Sequence, residues 1–155
     1  MVSRADRFFE DGKKTAKWVL SHGRSVPSGG SADLDKEIVP YLRAINSNPD
    51  AFTTGSCFGH GLGTPFFTIR FRNEAAAKYY SSQFRRVGFE AVDLGKPAGW
   101  RVSLPGVMHH AVYSIPESYQ FWEAASRIVA QPMSSAEAPP QFMRRRSNSW
   151  AWGRI

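Results

Sequence analysis

Residues 66–72 (Phe-Phe-Thr-Ile-Arg-Phe-Arg) set Phe67, Ile69 and Phe71 against Thr68, Arg70 and Arg72 in strict alternation. Successive side chains leave a strand on opposite faces, so this run predicts a strand over 66–71 with one aromatic and one basic side. The surrounding punctuation supplies its neighbours. A helix is predicted over 74–87, with Ala77, Tyr80, Phe84 and Val87 on one face and Gly88 closing it. Short strands are predicted at 52–56, 89–94, 100–104 and 108–114, with Gly95-Lys-Pro-Ala-Gly99 and Pro105-Gly106 as turns. Pro116 suits the first turn of a last helix reaching about Ala130 and burying Tyr119, Trp122, Ala125, Ile128 and Val129.

Upstream, 3–21 predict a helix with Phe8, Phe9, Ala16, Val19 and Leu20 as its buried stripe and a weak point at Gly12. His22 to Ser31 read as a loop. A second helix is predicted over 33–46, capped by Ser31 or Asp33 and ended by Asn48-Pro49. Helices and strands in this order make an α+β domain over 1–130, with an antiparallel or mixed sheet and helices mainly on one face. Residues 131–141 read as a linker, and the chain ends in a basic aromatic tail.

At 155 residues, 42% of them apolar, the chain suffices for a single core without metal or disulfide support. Its one cysteine excludes an intrachain disulfide and suits a reducing compartment. The N-terminus lacks the apolar centre of a signal peptide, and no apolar run approaches the ~20 residues that span a bilayer. The expectation is a cytoplasmic protein without a membrane partner. The net charge is +7. Residues 131–155 hold four Arg and one Glu, a balance of +3, which leaves +4 for the rest. Such an excess attracts polyanions, RNA among them, and also serves as ordinary solubilising charge.

The chemistry concentrates between Phe52 and Gly63. The run Phe52-Thr53-Thr54-Gly55-Ser56-Cys57 leads into Phe58-Gly59-His60-Gly61-Leu62-Gly63, which crowds hydroxyls, the only cysteine, a histidine and four glycines together. Backbone amides and hydroxyls at Thr53, Thr54, Ser56 and Gly59 suit a polar ligand edge, because glycine permits close approach. The plainer reading is a tight turn with solvated threonines.

Cys57 reads as a small buried apolar residue before it reads as a nucleophile. With His60 it makes half of a metal site, which His109 or His110 would have to complete. Adjacent strand histidines face opposite ways, so at most one of them joins, and no metal is expected. A cysteine–histidine hydrolase needs a third, orienting group that the sequence does not mark.

The same segment resembles the third enzyme of wybutosine synthesis, a tRNA methyltransferase family. Its motif reads Ile-Asn-Ser, then Thr-Thr-Ser-Ser-Cys-Ser-Gly-Arg; here Ile45-Asn46-Ser47 precedes Thr53-Thr54-Gly55-Ser56-Cys57-Phe58-Gly59-His60. A second block matches at Pro65-Phe66, Arg72, Ala77 and Gly88-Phe89, so the resemblance covers about 31–114. It departs at Phe58 and His60, and in a hairpin reduced to Gly61–Thr64. The resemblance implies that family's fold, S-adenosylmethionine as methyl donor and a modified guanine of tRNA as acceptor. It also points to Thr53, Thr54, Ser56, Cys57, Gly59 and His60 as the ligand-binding turn.

Two basic groups stand apart from the turn. Arg70 and Arg72 share a strand face, with Arg85 and Arg86 on the next helix and Trp100 or Tyr79 as stacking surfaces for RNA. Arg144, Arg145 and Arg146 with Trp150 and Trp152 form a reaching arm for a polyanion or a protein partner. Two functional classes follow: an RNA- or nucleotide-binding, methyltransferase-like protein, and a non-catalytic assembly component that uses the tail as its arm.

Overall fold

The computed structural model describes residues 3–23 and 34–133. Helix α1 spans Arg4–His22. Ser3 caps it by accepting the Asp6 amide, and Gly23, at φ 68°, closes it with its N–H on the Val19 carbonyl. The helix runs unbroken through Gly12. Glycine is required there because a Cβ would sit 2.6 Å from Cε2 and 2.7 Å from Cε1 of Phe52. Phe9 and Ala16 are buried as expected, but Phe8 is 54% exposed.

The expected second helix begins late. A 3-10 turn occupies Lys36–Ile38, and α2 follows over Val39–Asn46. Pro40 accounts for the delay, since its ring is tolerated only in a helix's first turn. Ser31 and Asp33 lie outside the described residues.

Strand β1 spans Ala51–Cys57, β2 Phe66–Phe71, β3 Glu90–Asp93 and β4 Trp100–Ser103. They form one sheet in the order β1-β2-β4-β3 with every pair antiparallel, which settles the choice between antiparallel and mixed. Helix α3 (Glu74–Arg86) starts at Asn73, whose side chain accepts the Ala76 amide. Helix α4 (Ile115–Ala130) opens with a reciprocal capping box between Ser114 and Glu117.

The strand expected over 108–114 does not form. Val107–His109 make a 3-10 turn between Gly106 at φ 88° and His110 at φ 56°. Beyond it the chain's polar groups go to loops: Tyr113 donates its N–H to Gly63 O, and Ala111 O accepts from Thr64 Oγ1.

Phe67, Ile69, Val102 and Ala91 turn to one side of the sheet, where α2, α3 and α4 cover them with Leu42, Ile45, Tyr80, Phe84, Phe121 and Trp122. Phe52 is paired opposite Arg70 and so faces the other way, where Phe9 and Ala16 of α1 form a separate small cluster with it. Three helices thus share a face, and α1 crosses the opposite one at the β1 edge.

Two asparagines join the layers. Asn46 donates to Leu42 O and Thr53 Oγ1 and accepts the Thr53 amide. Asn48, 4% exposed, donates to Tyr80 Oη and Val129 O and accepts the Asp50 amide. Lys13 Nζ ties α1 to this corner through the carbonyls of Asn46, Asn48 and Ala51, and burial lowers its pKa.

Candidate functional site

Strand β1 fixes the site because its residues divide between the two sides of the sheet. Thr53 faces α2, where Asn46 takes both its hydroxyl and its amide. The ladder to β2 slips between Thr53 and Gly55, so Thr54 is the extra residue of a bulge and turns outward. Its hydroxyl lies 2.9 Å from that of Thr68. Beyond Cys57 the chain curls through Gly59 at φ 95°, His60 at φ 57° and Gly61 at φ 73°. Three consecutive residues in the left-handed region carry the imidazole back over the end of β1.

A cleft of ≈840 Å³ runs between α1 and β1. Phe8, Gly12 and Ala16 form one wall, Thr53 to Cys57 the other; Arg70 lies in the floor, and Asp35 and His60 stand at one end. The Arg70 guanidinium carbon is 5.3 Å from the Phe8 ring centre and 5.7 Å from that of Phe52, a cation between two aromatic faces. Its Nε is buried without a hydrogen-bond partner. Arg101, opposite Thr68 on β4, shows the same orphaned Nε on the same side of the sheet. Two unpartnered guanidinium donors and two hydroxyls make this face suited to anions.

Of the predicted turn residues, Thr53, Thr54, Ser56, Cys57 and His60 line the cleft. Gly59 does not: it is buried, and a Cβ there would meet Ser118 Oγ at 3.0 Å and the Pro65 nitrogen at 3.2 Å. Its glycine serves packing under α4. At the cleft's end, His60 Nε2 lies 3.2 Å from Asp35 Oδ1, while Asp35 Oδ2 accepts the Phe58 amide at 2.9 Å. Asp35 is the group that sequence reasoning missed; a carboxylate twenty-two residues before Cys57 carries no spacing signal. His109 and His110 do not join this cluster. His22 ends α1, stacked on Trp18 with ring centres 4.0 Å apart.

The four core arginines do not converge. Arg72 is spent on Glu10 at 2.6 Å, Asp50 at 3.1 Å and Pro49 O at 2.9 Å, and lies over Phe9. The Glu10 hydrogen bond, chiefly, raises its pKa further. It is a tie between α1 and the sheet rather than a free cation. Arg85 donates to Ala91 O and lies over Trp100, and Arg86 is exposed, both on the side of the sheet opposite Arg70. Arg101 replaces them as Arg70's companion; its signal was the period of two carried onto β4. The arm formed by Arg144, Arg145, Arg146, Trp150 and Trp152 lies outside the described residues.

Among the described residues, no helix is long and apolar enough to cross a membrane. No family model matches the chain, and neither a curated protein nor a solved structure matches it.

Proposed function

We propose that the chain binds a nucleotide, free or as part of an RNA, in the cleft between α1 and β1. The observation behind this is the cleft's floor: an arginine held between two phenyl rings with a buried, unused Nε donor. The volume of ≈840 Å³ falls within the ~300–1,000 Å³ of small-molecule pockets. Phe8 offers a base a stacking face, Arg70 offers an anion a charged donor, and Thr54 and Thr68 offer hydroxyls.

The same residues fit S-adenosylmethionine, the donor implied by the wybutosine-family resemblance. Phe8 would hold the adenine, Arg70 the carboxylate and Asp11 the ribose hydroxyls, all three lining the cleft. When bound, that molecule supplies an electrophilic methyl group. The chain's own contribution is to hold donor and acceptor in line and to exclude water.

Isothermal titration of the full chain with S-adenosylmethionine, adenosine monophosphate and a short single-stranded RNA tests this. At least one titrates to a single site. Arg70→Met weakens it by about tenfold or more, the worth of a charge-assisted hydrogen bond, without lowering the melting temperature. Arg86→Ala leaves binding unchanged. Absence of heat from all three at millimolar concentration rejects the proposal.

A further inference from the structure

The end of the cleft carries three groups that the nucleotide reading does not use. Asp35, Cys57 and His60 each present one ligand atom, and the three atoms lie within 4.8 Å of one another. We infer that they form a three-ligand site for a zinc-class divalent cation, with the fourth coordination position opening into the cleft.

The geometry suits a metal corner. One imidazole nitrogen lies within 4.8 Å of both partners. Bonds of ~2.0–2.1 Å in a tetrahedron set nitrogen and oxygen ligands about 3.3 Å apart. The Asp35 Oδ1 to His60 Nε2 separation is 3.2 Å. The sulfur reaches its corner by a shift of roughly 1 Å, judged from the longer Zn–S bond.

The support around the site fits the same role. The Phe58 amide holds Asp35 Oδ2, which turns Oδ1 toward the imidazole in the way outer hydrogen bonds orient metal ligands. His60 keeps a left-handed backbone, φ 57°, that residues other than glycine seldom adopt, and that backbone delivers its ring to the cluster. A thiolate, an imidazole and a carboxylate together favour zinc over magnesium or calcium, which take oxygen ligands. Asp35 and Cys57 are half-buried and His60 is exposed, so the position left open is reachable from solvent. Spacing alone gave Cys57 and His60 as half a site with no metal expected; Asp35 supplies the missing corner.

Cobalt(II) titration of the full chain is the test, because Cys57 is the only cysteine and any thiolate band has one source. The expected result is a near-ultraviolet thiolate-to-cobalt charge-transfer band saturating at one equivalent, accompanied by the strong visible bands of a four-coordinate ion, all bleached by zinc. Cys57→Ser abolishes the charge-transfer band. Asp35→Asn still accepts the Phe58 amide and His60→Asn still tolerates the backbone, so both fold; each weakens cobalt binding by about tenfold or more. Circular dichroism of the metal-free variants checks that they are folded. No charge-transfer band at excess cobalt overturns the site. So does undiminished affinity in both folded variants, which would leave an isolated thiol. The titration contains no nucleotide, so its failure leaves the nucleotide proposal standing.

Discussion

Gly12→Ala is the substitution for which local propensity and tertiary packing give opposite answers. In an exposed helix the change stabilises by roughly 0.5–1 kcal/mol. In this chain the added methyl would overlap the tip of the Phe52 ring, closest to Cζ and 2.6 Å from Cε2, where carbon atoms settle at about 3.5–4.0 Å. Ring or helix must therefore retreat by about 1.5–2 Å. The ring has little room, for it is 2% exposed, with Phe9 edge-on at 5.1 Å and Arg70 over its face. Overpacking of this kind costs ~1–3 kcal/mol. Subtracting the helix gain leaves a net loss of up to about 2.5 kcal/mol. Urea unfolding followed by tryptophan fluorescence measures it as a lower midpoint at unchanged slope. In a Phe52→Leu background the ring tip is gone, and Gly12→Ala becomes neutral or stabilising. That reversal is the coupling a double-mutant cycle detects. A Gly12→Ala protein more stable than its parent would refute the packing of α1 on β1.

Three further outcomes follow from the same structure. Asn48→Ala removes three hydrogen bonds and leaves the Val129 carbonyl and the Asp50 amide without their partner; about 2–4 kcal/mol is lost in the same urea assay. Burial, chiefly, raises the Tyr80 hydroxyl above its ordinary pKa of 10.0. Its stabilisation is therefore complete below pH 10 and is lost as pH climbs through the folded value, because the unfolded chain releases that proton first. Tyr80→Phe accordingly shows a shallower fall of stability with pH above 10, and parallel curves would contradict this. Gly59→Ala forces an alanine to φ 95° with its methyl 3.0 Å from Ser118 Oγ, at roughly 1–3 kcal/mol of strain. Adding Ser118→Ala recovers the Ser118 contact and leaves the backbone strain and the Pro65 contact, as two thermal melts show.

What was legible in the sequence was local. The period of two over 66–71 reproduced β2 residue for residue, and Pro116 marked the first turn of α4. Gly12 misled because the reason for a glycine there is the Phe52 ring, forty residues away. The run 108–114 was expected as a strand, but its backbone groups bond back to Gly106 and Val107 and across to the 63–64 turn instead of a ladder. The site divides the same way. Thr53 to His60 stood out as an improbable crowding of polar groups and glycines, and most of it does line the cleft. Thr53 was claimed by Asn46 and Gly59 by α4, roles that only packing assigns. Asp35 reaches the site through the fold, with nothing in its neighbours to announce it, whereas the period of two on β4 places Arg101 on the same side of the sheet as Arg70.

Cys57 gives the most direct test of the account, since this single half-buried thiol lines the cleft where the ligand is placed. The measurement is its alkylation rate by iodoacetamide in metal-free buffer, with and without saturating S-adenosylmethionine, adenosine monophosphate or single-stranded RNA. Occupancy of the cleft predicts slower alkylation with the probe that binds, and return to the free rate in Arg70→Met. A binding probe that leaves the rate unchanged contradicts the claim that the α1–β1 cleft is the binding site.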